Sequence, residues 1–236
     1  MPILTRPEES GSPVRFSGCP KIGAPLDFPA NSIYIPHDME KLATRGRPRE
    51  FDVEDALAAA LRVFWTKGYE GASLTDLTEA MAITRPSLYA AFGNKESLFK
   101  QALDLYETEK LAYVKGALAA PTARGVAERM LAGTIDNITS ECRGCLGVIA
   151  SVNCSNEASP IRDDVRARAQ SSRCAIIERM QRAIDEGDFT IPVDAEAITN
   201  YLMAVLQGIS VQAGAGASKE QLRKVGDAAL AIWPSR

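Results

Sequence analysis

Histidine is almost missing from the 236-residue chain, which has a single one at position 37. Acid–base or nucleophilic catalysis by histidine therefore has almost no material to use. The sequence also lacks the G-x-S-x-G nucleophile elbow, a G-x-G-x-x-G run after a strand, a P-loop and the zinc-binding H-E-x-x-H. We therefore expect that the chain is not an enzyme and that it uses no cofactor.

Long apolar runs are missing as well. No stretch of eighteen apolar residues exists, so we expect no membrane span and no membrane partner. The N-terminus lacks the basic-then-apolar order of a signal peptide. Five cysteines, an odd number, do not indicate a disulfide framework. The simplest expectation is a protein of the reducing cytoplasm.

An excess of positive charge is the third thing that the chain lacks, since its net charge is −3. Any nucleic-acid contact must therefore come from a local basic cluster. Residues 45–50, RGRPRE, form such a cluster, with three arginines in five residues and Pro48 to keep the segment extended. An arm of this kind can place Arg45 and Arg47 in the narrow minor groove of A·T-rich DNA. The alternative is a solvated arm with no partner.

The composition changes near residue 39. Residues 1–38 hold seven of the thirteen prolines and have no sustained hydrophobic period. They cannot bury enough apolar surface to offset the entropy of ordering, so we expect a disordered or loosely attached extension. Met39 opens the charged segment 39–49 and is a candidate for the true start of the protein.

Helical periodicity begins after this arm. Four helices are predicted here, each opened by a side chain that can cap a helix N-terminus: Asp52, Ser73, Thr84 and Asn94. Gly68 and Gly93 predict the ends of the first and third helices, because glycine adopts the left-handed conformation readily. The fourth helix is expected to end near Gly116.

The second and third of these helices have the dimensions of a helix-turn-helix, about twenty residues in all. In the third helix, Leu88 and Phe92 lie on one apolar face, whereas Arg85, Ser87 and Tyr89 can bind phosphates or base edges. A recognition helix needs this division between a docking stripe and a groove-facing side. A surface helix with ordinary polar decoration fits the local pattern equally well.

A longer stretch resembles a known family. The runs AALRVFWTKGYEGASL, LTEAMAI and SLYAAFGNKESLF are similar to the N-terminal domain of the tetracycline-repressor (TetR) family over residues 51–103. The resemblance implies an all-α bacterial, nucleoid-associated transcription regulator. Residues 50–110 would be its helix-turn-helix DNA-binding domain, and residues 111–236 its helical effector-binding and dimerisation domain. The sequence departs from the family at Ala82, where glycine is common.

The resemblance also implies roles for individual side chains, which divide between bases and phosphates. Those expected at the bases are Arg85, Pro86 and Ser87. Those expected at the DNA backbone are Thr75, Tyr89 and Lys95, and Thr84 completes the predicted DNA-binding set. Arginine bound to guanine is the commonest specific contact, so Arg85 is the expected base reader.

The C-terminal residues predict four further helices, over residues 123–138, 159–186, 195–211 and 219–233. The third of these is apolar nearly all round, which fits a core helix of one chain or a homodimer interface. The resemblance favours a homodimer that reads a pseudo-palindromic operator in double-stranded DNA. The expected interface residues are Tyr201, Leu202, Val205, Leu206, Ile209, Leu222, Val225, Ala229 and Trp233.

The resemblance also implies a repressor that an unidentified small-molecule effector releases from its operator, and pockets for such molecules form between the helices of bundles. The residues that could line a cavity are Tyr113, Met130, Met180, Phe189, Tyr201 and Met203. Each of them could equally belong to the core.

Cys142 and Cys145 form a C-x-x-C pair, which can bind a soft metal or act as a redox couple. This leaves open a thiol- or metal-responsive regulator of the same fold. Packing is the other interpretation, favoured for Cys145, whereas neighbouring Arg143 favours reactivity of Cys142. A further alternative is a helical protein that binds only other proteins.

Overall fold

The computed structural model describes residues 51–140, 145–147 and 159–235. The predicted extension, the basic arm with Arg45 and Arg47, and Cys142 lie outside these residues. Nine helices and no strand occur in the described ranges, which confirms the predicted all-α fold. In chain order the helices are α1 Val53–Gly71, α2 Leu74–Ala80, α3 Arg85–Phe92, α4 Lys95–Lys110, α5 Ala112–Leu118, α6 Ala123–Ile138, α7 Ser159–Asp185, α8 Ala195–Gly214 and α9 Lys219–Ala231.

The four predicted N-terminal caps are confirmed. The Asp52 side chain accepts hydrogen bonds from two amides of the first turn of α1. Ser73 and Asp76 form a complete capping box at α2. Thr84 and Asn94 each accept a hydrogen bond from the amide three residues further along the chain. Each cap stabilises its helix by about 1 kcal/mol, so the positions of α1–α4 follow largely from local sequence.

Two glycines adopt the backbone conformations for which glycine is needed. Gly93 ends α3 with φ 83°, as predicted. Gly68 also leaves the helical conformation, with φ 71° and ψ 175°, but a further turn continues α1 to Gly71. The expected helix end at Gly68 is therefore a bend inside α1.

The prediction of a single helix between Asn94 and Gly116 is wrong, because the structure has two helices there, α4 and α5. They meet at Leu111, which has φ −105° and ψ 9°. Its amide donates to the Tyr106 carbonyl five residues back, which interrupts the regular helical ladder. After this break Tyr113 of α5 lies against Gly133 and Thr134 of α6, a tertiary contact that the sequence period does not reveal.

One hydrophobic core joins α1–α4 to the start of α7. Its largest members are Phe64, Trp65, Phe92, Phe99 and Tyr106. The Trp65 and Tyr106 rings meet edge to face with centroids 4.9 Å apart, a geometry that adds to the stabilisation from burial. Leu146 and, on α7, Ile161 and Val165 belong to the same core. Residues 49–236 form one compact unit, and the predicted domain boundary near residue 110 stays a prediction.

The C-terminal helices surround α6, which packs against α5, α8 and α9. Helix α6 occupies its predicted span, and α7 ends one residue before its predicted end. The Asp194 side chain caps α8, and Ser218 with Gln221 forms a capping box at α9, as predicted. Among the described helices, none is long and apolar enough to cross a membrane.

Candidate nucleic-acid interface

The third helix is docked by one face and open on the other. Leu88 and Phe92 are 0% and 2% exposed, and they anchor α3 in the core of the first four helices. Tyr89 is 48% exposed, and Arg85 and Pro86 at the helix N-terminus are exposed as well. The structure therefore presents the polar side chains of α3 to the outside, as a recognition helix requires.

Arg85 is tied to the preceding helix. Its Nη2 donates a hydrogen bond to the Thr75 hydroxyl of α2 at 2.9 Å. At the N-terminal cap of α3, the Thr84 and Ser87 hydroxyls lie 2.9 Å apart, and Thr84 Oγ1 also accepts a hydrogen bond from the Ser87 amide. The structure thus brings these four predicted DNA-binding residues together in one exposed group. Because Arg85 is already oriented, less side-chain entropy would be lost when it meets a ligand.

Lys95, at the first position of α4, lies over an aromatic ring. Its Nζ is 4.6 Å from the Tyr69 ring centroid, and the Tyr69 ring packs edge-on against Phe99 of the core. Burial lowers the pKa of Lys95, and the nearby Glu70 carboxylate opposes that shift. The ammonium group is therefore held in place at the N-terminal end of α4, where the helix dipole also favours anions.

Sequence reasoning missed Lys67. Its Nζ lies 2.6 Å from Asp76 Oδ1, and Asp76 is the acidic member of the α2 capping box. The Lys67 ammonium, together with the Ser73 amide and hydroxyl, holds the pKa of the Asp76 carboxyl well below its usual range. The pair joins the end of α1 to the start of α2. Helical periodicity relates residues within one helix, so it could not indicate this contact between two helices.

This arrangement matches known proteins. The family model for bacterial regulatory proteins of the tetR family covers residues 56–102. The HTH-type transcriptional repressor ComR of Escherichia coli (strain K12) is 30% identical over 195 residues, 81% of this chain and 93% of ComR. The chain belongs to the TetR family. The family membership that the sequence resemblance implied is therefore confirmed.

Two further TetR-type proteins are similar over most of the chain. The HTH-type transcriptional repressor BdcR of Escherichia coli (strain K12) is 28% identical over 177 residues, 75% of this chain and 86% of BdcR. The TetR family transcriptional regulator CifR was solved as a cysteine mutant complexed with 26-base-pair double-strand operator DNA. It is 43% identical, with a TM-score of 0.75, and the match covers 80% of this chain and 100% of that chain.

The predicted effector-pocket residues of this TetR-family chain differ in their surroundings. Met130 and Met180 are buried, and the Tyr113 hydroxyl is hydrogen-bonded to Thr134 at 2.8 Å. Phe189 and Tyr201 are half-buried. Met203 lines a groove of about 330 Å³ between α7 and α8.

The predicted dimer residues lie mostly inside the single chain. Those buried within it are Leu202, Leu206, Ile209, Leu222, Ala229 and Trp233. Tyr201, Val205 and Val225 are half-buried and remain accessible to a partner. Val211 and Ile232 are 59% and 71% exposed, which the sequence did not indicate, because an apolar run does not reveal which of its side chains the same chain covers.

The cysteines divide between inside and outside the described residues. Cys145 is half-buried with a free thiol, and its Sγ lies 3.5 Å from the Tyr106 hydroxyl that donates to it. Cys174 is buried and disulfide-bonded, a bond that the sequence did not predict. Within the described ranges, no group of three or more metal-ligating side chains comes together. The partner of Cys145 in the C-x-x-C pair, Cys142, lies outside them.

Proposed function

We propose that this TetR-family chain is a sequence-specific repressor that binds a pseudo-palindromic operator as a homodimer and leaves it when a small-molecule effector binds. The observation that carries the proposal is the docking of α3, with Leu88 and Phe92 buried and Arg85 and Tyr89 exposed. The names of ComR and BdcR as repressors, and the operator DNA bound to CifR, favour repression.

Base reading falls to the N-terminal end of α3. We propose that α3 lies in the major groove, where Arg85 binds guanine in a bidentate manner and Pro86 and Ser87 line the adjacent bases. Thr75 holds the Arg85 guanidinium at 2.9 Å and supports its orientation. A held guanidinium favours one register on the duplex, which is what discrimination between sequences requires.

Phosphate binding falls to the rim of the same surface. The exposed Tyr89 hydroxyl and the Lys95 ammonium are the proposed phosphate ligands on α3 and α4. We also assign the arm residues Arg45 and Arg47 to the neighbouring minor groove. Phosphate contacts carry little sequence information, so they set the affinity and its salt dependence, whereas Arg85 sets the preferred sequence.

Dimerisation would place two copies of α3 on one face of the duplex. On α8 and α9, the exposed Val211 and the half-buried Tyr201, Val205 and Val225 are apolar side chains that a partner can cover, and the exposed Ile232 directly follows α9. Two recognition helices about 34 Å apart fit successive major grooves on one face of the DNA. The operator is therefore expected to consist of two inverted half-sites.

We place the effector among the C-terminal helices. The groove of about 330 Å³ between α7 and α8 contains Met203 and is rimmed by Arg166 and Arg173. Because Ile161 and Val165 of α7 pack in the core of the DNA-binding helices, a ligand that shifts α7 also shifts that core. Such a regulator would work in the cytoplasm, on the nucleoid.

Selection of bound sequences from a random duplex pool tests this function. The expected result is a single enriched motif of two inverted half-sites, with a guanine in each half. A protein with the Arg85→Ala and Tyr89→Phe substitutions should enrich no motif, whereas an Arg182→Ala control on α7 should enrich the parent motif. If the folded parent enriched no sequence motif from the pool, the proposal would be overturned.

A further inference from the structure

Arg168 of α7 makes three ion pairs with carboxylates. Its Nη2 lies 2.8 Å from Asp104 Oδ1, its Nη1 2.9 Å from Glu107 Oε2, and its Nε 2.9 Å from Asp164 Oδ2. Every nitrogen of the guanidinium fork is therefore engaged. The side chain is 26% exposed, so the group lies at the edge of the protein rather than in its interior.

The three carboxylates come from two helices. Asp104 and Glu107 lie one turn apart on α4, whereas Asp164 lies one turn before Arg168 on α7. Burial raises the pKa of the Glu107 carboxyl, and the Arg168 charge opposes that shift. Arg168 thus bridges α4 of the DNA-binding helices to the long helix of the C-terminal half.

An apolar contact lies beside this bridge. Ile161 and Val165, earlier on α7, are 1% and 6% exposed and pack in the core that contains Leu103 and Tyr106 of α4. Apolar packing stabilises the contact but has little directional preference. A planar guanidinium bound to three carboxylates has a defined geometry, so the ion pairs favour one angle between α4 and α7.

The angle matters because only two residues separate the end of α3 from the start of α4 at Lys95. We propose that Arg168 is a positioning residue for operator binding, which clamps α4 to α7 through Asp104 and Glu107 and so fixes the separation of the two recognition helices in the dimer. This inference rests on the proposed function. Partly exposed ion pairs contribute little to stability, so positioning is the main effect of the bridge.

The test is binding to operators whose half-sites are moved apart or together by one or two base pairs, each about 3.4 Å. The folded parent should prefer one spacing. Arg168→Gln should reduce that preference by between about 2- and 30-fold, while its melting temperature stays within about 3 °C of the parent's. Arg182→Gln is the matched control, because Arg182 lies on the same helix and pairs with Glu186, which directly follows that helix, away from the effector groove.

A second variant removes the same bridge from the other side. Asp104→Asn combined with Glu107→Gln leaves Arg168 in place and should flatten the spacing preference to the same extent. If the parent prefers one spacing and this double variant or a folded Arg168→Gln protein keeps that preference, the inference is overturned and the proposed function stands. If the parent binds no duplex specifically, the proposed function itself fails, and the inference with it.

Discussion

Replacement of Ala82 by glycine should stabilise the protein. Ala82 lies in the turn between α2 and α3 with φ 52°, and it is the only residue other than glycine with a positive φ in the described ranges. The turn requires this conformation because the Ala82 amide bonds the Glu79 carbonyl and the Ile83 amide bonds the Thr78 carbonyl. An L-residue in the left-handed region costs roughly 1–2 kcal/mol, which glycine avoids.

The gain is partly offset in the unfolded chain. Glycine loses roughly 0.5–1 kcal/mol more conformational free energy on folding than alanine. Ala82 is exposed, so its methyl group contributes no buried packing that would be lost. Central values of about 1.5 and about 0.75 kcal/mol leave the free energy of unfolding of Ala82→Gly about 0.75 kcal/mol higher, or about 1.5–3 °C in melting temperature.

Urea and thermal unfolding of the parent and two variants measure this effect. Ala80→Gly is the matched control, because Ala80 is also exposed but lies in the last turn of α2 with helical backbone. The same chemical change there should lower the free energy of unfolding by roughly 0.5–1 kcal/mol. Opposite signs two residues apart are the prediction, and an Ala82→Gly protein no more stable than the parent would refute the reasoning.

Three further predictions concern packing, charge and the arm. Gly133→Ala should destabilise the protein by about 1–3 kcal/mol, since a Cβ there would lie 2.2 Å from the Tyr113 ring, whereas Gly116→Ala, with no atom near, should be neutral or stabilising in urea unfolding. The pKa of Asp76 is lowered in the folded protein, so the ionised carboxylate stabilises the fold above about pH 4 and this stabilisation is lost as the pH falls. In Asp76→Asn the melting temperature should therefore fall less steeply below about pH 4 than in the parent. An equally steep fall would contradict this. Removal of residues 39–49 should weaken operator binding and reduce the slope of log K against log salt by about 0.9 per lost phosphate contact, so an unchanged slope removes the arm from the interface.

Local signals made much of the fold predictable. Asp52, Ser73, Thr84 and Asn94 cap helices because a short polar side chain reaches an amide only two or three residues away. The apolar pair of α3, four residues apart, likewise indicated its buried face. Such signals depend on neighbours in the sequence, so one sequence suffices to read them.

Contacts between distant segments were not predictable in the same way. The break at Leu111 and the packing of Tyr113 on Gly133 depend on where α6 lies. The position of the Lys95 ammonium over the Tyr69 ring depends on how α1 packs against α4. Burial of Leu202 inside its own chain depends on the helices around α8. Apolar periodicity indicates that a side chain is buried, but it does not indicate whether the same chain or a partner chain buries it.

The central claim is that α3 reads bases in the major groove through Arg85. Its most direct test is the affinity of the folded parent, of Arg85→Ala and of Arg182→Ala for the preferred operator and for operators with each guanine replaced in turn. The parent should lose about 1–3 kcal/mol of binding free energy at one guanine in each half-site, Arg182→Ala should match the parent, and Arg85→Ala should bind the two operators equally. Full discrimination at every guanine by a folded Arg85→Ala protein would contradict the account.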